Sequence, residues 1–329
     1  MKTKIVYVVT SDETDIYLEQ ALLSVFSLRK HNPNAYVELV VDQDTDATIA
    51  GKRGEILKYI DHKVVVNVPE EYNKVCRSRW MKTSLRQHIQ GDFLFVDTDT
   101  IVTDKLCKID SFIGNLGAVM DAHVPIRSRK NSEYIKKIKK NSFEEGWNCS
   151  DEITFFNSGV FFVKDTAESY EFFSCWHKTW NDFYKRYGRH EDQAPLAATN
   201  EKFNYIIREL SGIWNCQIAR SGILYLPNAK IMHYLAYEGT THPWIFYNHD
   251  ILNEVKELGY ISDKISELVD NAKFTFDMPN MIITGRKLKC IKNSLSSICK
   301  TNKRVFLLYI YAVIVRQKSI NFKHRILGI

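Results

Sequence analysis

The sequence predicts an α/β fold with a mostly parallel, doubly wound central sheet flanked by helices. Three observations predict it. Short β-branched and aromatic runs alternate with amphipathic segments through the first hundred residues. Those runs are apolar throughout, as strands covered on both faces are. The chain is 329 residues long, 45% hydrophobic and 26% charged, an ordinary composition for one large domain or a domain plus an extension. It carries no internal repeat and no Pro- or Gly-rich linker.

KIVYVV (4–9) is the first expected strand. The polar TSDETD follows, then a helix over 17–30, with Leu18, Ala21, Leu22, Val25 and Leu28 at helical spacing and HNP to end it. YVELVV (36–41) reads as the second strand, 49–60 as a helix and KVVV (63–66) as the third strand. Residues 77–88 read as a helix with Arg77 and Arg86 on its surface, and DFLFV (92–96) as the fourth strand. Beyond it, LGAVMD (116–121) and GVFFV (159–163) are expected strands. Between them, 122–151 is polar, lysine-rich and irregular, the pattern of a disordered segment or a functional lid. Residues 167–187 form an aromatic-rich helix, another begins within 192–200, and GILYLP (222–227) and AKIMHY (229–234) read as late strands.

Charge is segregated. Residues 278–329 hold 11 Lys and Arg and no acid, whereas the first 277 residues hold 34 basic against 39 acidic. The seven cysteines are scattered and form no CxxC, which argues against a zinc site or a disulfide framework and for reduced thiols. The chain opens on a strand-like run, so no signal peptide is expected, and no apolar stretch is long enough for a membrane span.

The fourth strand runs into Asp97-Thr98-Asp99. In an open α/β sheet, ligands sit outside the carboxyl ends of the strands. Carboxylates at i and i+2 of an extended segment point the same way and can share one hard divalent cation. Such a cation can neutralise a diphosphate and act as a Lewis acid. Isolated, the same spacing is also met in solvated loops. Asp42, Asp44 and Asp46 follow another strand but lack the Gly and Glu of a calcium loop, having Ala47 and Arg53 there, and read as a helix-capping loop. FLFVDTDTI also resembles the nucleophile motif of haloacid-dehalogenase-like phosphatases. Against that stand three preceding strands, Ile101 at the fifth motif position and no later strand ending in an acidic pair.

The segments around the pair resemble, in order, glycosyltransferases of the GT-A fold, most similarly the retaining family 8 group that includes glycogenin and bacterial lipopolysaccharide galactosyl- and glucosyltransferases. The resemblance covers roughly residues 4–245. In VVTSDETDIY it implies that Thr10, Asp15 and Tyr17 hold the uracil and ribose of a UDP-sugar. In CRSRWMKTSLRQ it implies that Arg79 and Lys82 lie by the donor phosphates. It makes Asp97 and Asp99 ligands of a divalent ion, Mn²⁺ or Mg²⁺, with Thr98 beside the donor. Asn157 and Gly159 of FFNSGVFFV would contact the donor sugar. Asp192 and Gln193 of RHEDQAP would face the anomeric carbon, and Asp121 would help shape the sugar pocket. SGIWNCQ (211–217) matches a family segment to which no chemistry is given. In IMHYLAYEGTTHPW, His233 matches the third metal ligand, Gly239 a diphosphate-binding glycine, and His242 stands where the family has lysine. Their spacing is longer than the family's.

The resemblance thus implies a nucleotide-sugar donor, a glycan or lipid-linked acceptor, and transfer with retention. The organisation expected is a catalytic domain over 1–245 and a helical extension over 246–329. Within the extension, 286–329 is basic and amphipathic and suits an anionic membrane surface. The setting expected is bacterial, at the inner face of the cytoplasmic membrane, in lipopolysaccharide or capsule biosynthesis. The acidic body and the absence of a nucleic-acid motif argue against nucleic acid as a partner. The alternatives are the phosphatase and a catalytically inactive GT-A-fold scaffold.

Overall fold

Buried β-branched runs flanked by helix-forming segments have few ways to cover both faces. In a computed structural model, which describes residues 1–234 and 244–276, they do so around a seven-stranded sheet. β1 (Lys4–Val9) leads through α1 (Tyr17–His31) to β2 (Val37–Asp42), and a short α2 (Gln43–Thr48) precedes β3 (His62–Val66). The chain returns through α3 (Lys74–Thr83) to β4 (Phe93–Val96), and β5 (Thr100–Val102) follows at once. β6 (Leu116–Met120), α4 (Glu133–Glu145) and β7 (Phe156–Val163) come next. Then follow α5 (Ala167–Tyr187), α6 (Gln193–Lys202), β8 (Arg208–Glu209), β9 (Cys216–Gln217), β10 (Ile231–His233), α7 (His249–Leu258) and α8 (Asp263–Asp270).

The strand order is β3-β2-β1-β4-β7-β6-β8. β1 pairs in parallel with both β2 and β4, while β7 is antiparallel to β4 and β6. The chain runs outward from β1 to β3 and re-enters on the other side of β1, so the switch point lies between β1 and β4. Thr10 and Asp97 follow those two strands. A second sheet, β5-β10-β9, carries His233 to the same edge.

Met1–Phe276 form one compact unit, so the boundary expected after residue 245 falls inside it. α7 contributes Ile251, Leu252 and Val255 to the same core as α1, and Trp244, fully buried, donates Nε1–H to Ala272 O at 2.6 Å. The basic segment 286–329 lies outside the described residues. No helix among the described residues is long and apolar enough to cross a membrane.

Several expectations are corrected. Residues 51–58 form a 3₁₀ segment rather than an α-helix over 49–60, and Gly51 sits at φ 52°. The stretch 122–151 is folded: Ile135 and Ile138 of α4 pack with Ile126, Trp147 and Phe155 against Phe183 and Ala198. The signals were the i, i+3 isoleucines and Gly146, which ends α4 in the left-handed conformation. Residues 222–228 make two 3₁₀ turns where a strand was expected. Arg86 is wholly buried rather than on the surface, donating to Gly91 O at 2.7 Å and to Ile89 O. Arg77 is also largely buried, joined to Asp42 at 3.0 Å and to Asp44. The loop at 42–46 does cap a helix, Asp42 accepting from Thr45 N at 3.1 Å.

Candidate functional site

The carboxyl end of β4 is held by its neighbours' backbone. Asp97 N donates to Gly159 O at 2.7 Å, the Thr100 hydroxyl donates to Asp97 O at 2.8 Å, and Tyr234 N donates to Asp99 O at 3.1 Å. The carboxylates of Asp97 and Asp99 and the ring of His233 offer ligand atoms within 4.8 Å of one another. This is an O, O, N donor set for a divalent cation. The backbone of β7 passes so close that a Cβ on Gly159 would lie 2.4 Å from His233 Cε1 and 2.7 Å from Asp97 Oδ2. Only glycine lets this strand lie against the triad. The approach coincides with a register break between β6 and β7, where Ala118 pairs with Phe161 but Val119 with Asn157.

A hydrogen-bond chain fixes the histidine. The Gly159 backbone N–H can only donate, and it does so to Asn157 Oδ1 at 3.0 Å. Asn215 Nδ2 donates to the same oxygen at 2.8 Å. That leaves Asn215 Oδ1 facing His233 Nδ1 at 2.9 Å, so Nδ1 carries the hydrogen. His233 Nε2 then faces Asp99 Oδ1 at 3.1 Å, a gap that a proton or a metal ion fills. The residues present fit a bound divalent ion on this ground.

Two buried carboxylates lie beside the triad. Asp192, just before α6, is contacted by Lys82 Nζ at 3.3 Å, Arg79 Nε at 3.6 Å and the Ser158 hydroxyl at 2.8 Å. Burial raises its carboxyl, but Lys82 and Arg79 outweigh that and hold it at about 2. Lys82 also reaches Asp97 Oδ1 at 3.1 Å and lies over the Phe95 ring, so it bridges the triad and Asp192. Asp121, with a fully buried side chain, is clasped by Arg129 at 2.7 Å and Arg220 at 2.9 Å. Gln193 Nε2 and Asn157 Nδ2 each lie 3.3 Å from Asp121 Oδ1. Burial opposes its ionisation, yet the two guanidiniums keep its pKa below the ordinary carboxylate value.

After Asp121 the chain turns through Ala122 and His123, both at φ 56°, where side chains are strained by about 1–3 kcal/mol each. Gln217 holds this turn. Its Oε1 accepts from Ala122 N at 2.8 Å, its Nε2 donates to Met120 O at 3.1 Å and its N donates to His123 Nε2 at 3.1 Å.

At the end of β1, Thr10 is buried and donates to Lys74 O at 3.1 Å. Asp15 accepts from Ser11 Oγ at 2.6 Å, Asp12 N at 3.1 Å, Tyr17 N at 3.1 Å and Lys74 Nζ at 2.7 Å. Its carboxylate therefore shapes the loop. Tyr17 begins α1 and is 46% exposed, and Thr98 Oγ1 lies 3.4 Å from Gln20 Oε1. Gly239 and His242 lie outside the described residues. The sequence assigned nothing to Asn215, Gln217, Ser158, Arg129 or Arg220. The first two sit in the noted SGIWNCQ segment; the arginines carried no signal, because chain folding alone brings them to Asp121.

No family model matches the chain. No curated protein matches it. Solved structures do. The apo form of the WbbM bifunctional glycosyltransferase is 14% identical at a TM-score of 0.54, over 82% of this chain and 51% of that one. Galactosyltransferase LgtC, in complex with donor and acceptor sugar analogues, is 16% identical at a TM-score of 0.50, over 80% and 99%. An active-site mutant of LgtC is 17% identical at 0.50, over 83% and 100%. This chain thus spans about half the length of the WbbM structure. The likeness shows the fold, which is GT-A.

Proposed function

We propose that the chain is a metal-dependent glycosyltransferase that moves a hexose from UDP to a glycan or lipid-linked acceptor with retention. The observation that carries this reading is the Asp97–Asp99–His233 triad at the sheet's switch point, with Gly159 pressed against it. Mn²⁺ or Mg²⁺ there would neutralise charge developing on the leaving diphosphate.

The chain's own residues supply the rest. Thr10 and Asp15 shape the loop that takes the nucleoside, and the exposed Tyr17 ring offers its face to the uracil. Thr98, Lys82 and Arg79 would border the diphosphate and sugar; Gly239 and His242, outside the described residues, are proposed as diphosphate-binding from the sequence resemblance alone. Asn157, Asp121 and Asp192 accept or donate to sugar hydroxyls. Both N–H groups of Gln193 are used, on Asp121 and on Phe156 O, which leaves its carbonyl oxygen for the electron-poor anomeric carbon. Asp192 Oδ1 lies by Arg79 and Oδ2 is bonded by Lys82 and Ser158, an arrangement that suits a hydroxyl acceptor better than a covalent nucleophile. The reading is therefore front-face attack. The acceptor oxygen bonds the anomeric carbon as the carbon–phosphate oxygen bond breaks through an oxocarbenium-like state, and the acceptor's proton passes to the leaving phosphate. The basic segment 286–329 would place the enzyme on an anionic membrane, at the cytoplasmic face of a bacterium building lipopolysaccharide or capsule.

The test is calorimetry of UDP binding with Mn²⁺ and with EDTA, repeated on Asp99→Ala, followed by a panel of UDP-sugars. Binding that requires both Mn²⁺ and Asp99 supports the reading. No binding of UDP under any condition overturns it. Binding without turnover across acceptors indicates a scaffold, and nucleotide-independent phosphoester hydrolysis indicates the phosphatase.

A further inference from the structure

Asn215 belongs to none of the groups that would touch donor or acceptor, yet it is wholly buried between two that do. A buried asparagine is commonly a satisfied core amide, bonded to whatever backbone lies near. The side-chain hydrogen bonds of this one among the described residues go instead to functional side chains, Asn157 and His233. Its orientation is not free. The Gly159 N–H fixes Asn157 Oδ1 as an acceptor, and that acceptor draws the Asn215 amide nitrogen. The carbonyl end of Asn215 is thereby turned to His233 Nδ1.

We propose that Asn215 is a positioning residue that holds His233 in its Nδ1–H tautomer, so that the Nε2 lone pair faces Asp97 and Asp99. The inference rests on the metal reading above and deepens it. An imidazole with its hydrogen on Nε2 would point an N–H at the Asp99 carboxylate and bind no cation. Metal-ligating histidines generally give their second ring N–H to an acceptor, and loss of that acceptor weakens metal binding by roughly 10–100-fold. Here the acceptor is an amide whose own direction is set by backbone, so the signal runs from Gly159 through Asn157 and Asn215 to His233. The same glycine thus clears space for the triad and orients its third ligand.

Two variants separate positioning from plain structural support. Asn215→Leu keeps the volume and removes the acceptor. Asn215→Asp keeps an acceptor for Nδ1–H and gives up the donor to Asn157. Two readouts are needed: Mn²⁺ affinity by electron paramagnetic resonance without nucleotide, and the His233 ring ¹⁵N shifts of metal-free, histidine-labelled protein, assigned with His233→Gln. The expected wild-type spectrum shows hydrogen on Nδ1. Asn215→Leu should lose that signature and bind Mn²⁺ about 10–100-fold more weakly, and Asn215→Asp should keep both. A wild-type ring with Nδ1 bare and its only hydrogen on Nε2 overturns the proposal. So does Asn215→Leu that binds Mn²⁺ as wild type does, or Asn215→Asp that fails as badly as Asn215→Leu. Wild-type protein that shows the Nδ1 signature but binds no Mn²⁺ overturns the metal reading instead, and with it the purpose assigned to Asn215.

Discussion

Asp97 and Asp99 are placed chiefly by backbone, with Lys82 and His233 reaching their carboxylates; Asp121 is clasped by a network of side chains. The first pair ends β4, and its peptide groups are fixed by bonds from Thr100 and Tyr234 and to Gly159. Their carboxylates project as the strand end dictates. Asp121 ends β6 in the same manner, but its carboxylate depends on Arg129, Arg220, Asn157 and Gln193, four residues from four separate stretches of chain. The turn after it is strained and relies on Gln217. One side of the site is therefore local and modular, and the other is a buried polar network whose members are coupled.

Neutralising a carboxylate should therefore cost the two sides differently. Asp121→Asn leaves two guanidiniums against one amide in a buried place and should lower stability by about 3 kcal/mol, measured by urea unfolding. Asp97→Asn, whose side chain is 28% exposed, should cost only about 1 kcal/mol. Equal losses would break the comparison.

Acid should find the coupled side too. Burial lowers the pKa of His123 from 6.5 to about 4, with Asp121 opposing and His233 reinforcing the shift. The folded state thus binds this proton less readily than the unfolded chain. The contribution is complete above pH 6.5 and lost as pH falls toward 4, about 3 kcal/mol in all. His177, half-buried and in contact with Thr83 and Trp80, is likewise lowered by burial to about 4. Stability against pH should show an acid limb, of which His123→Asn and His177→Gln each remove about half. Asparagine tolerates the left-handed backbone at residue 123.

Two glycines sharpen the comparison further. A Cβ on Gly117 would meet Phe112 Cε1 at 2.7 Å, a purely structural collision, whereas one on Gly159 meets the triad. Both alanine variants should cost about 1–3 kcal/mol of stability. Only Gly159→Ala should abolish Mn²⁺ binding. The smallest effect is expected at the open edge: Tyr17→Ala should weaken UDP binding by about 0.5–1.5 kcal/mol and leave unfolding unchanged.

Legibility in the sequence follows the same division. β1 to β4, α1 and the switch point were readable because continuous apolar runs and helical spacing are local properties. DTD and NSG were readable because strand ends and close backbone approaches have short signatures. Arg129 and Arg220 were not, since nothing within a few residues of either reports that the chain brings them to Asp121. Arg86 misled because its charge suggests solvent, while its carbonyl partners, Ile89 and Gly91, become acceptors only once the turn forms. The Asn215–Gln217 segment was visible as a pattern, but its meaning lies in partners far along the chain.

The segment between Asp121 and β7 has its own apolar contacts, Ile126, Ile135, Ile138 and Trp147 against Phe183 and Ala198, and Arg189 ties Glu144 and Glu145 to the end of α5. Peeling α4 away residue by residue would expose Ile135 and Ile138 at a cost of about 1.5–3 kcal/mol each. A swing of the whole segment about the turn at 122–123 avoids exposing them singly. In amide hydrogen-exchange terms, α4 should behave as one protection class, its inner amides exchanging together at the rate at which the segment opens. That shared rate would be a clock for release of Asp121 from Arg129, readable without any substrate.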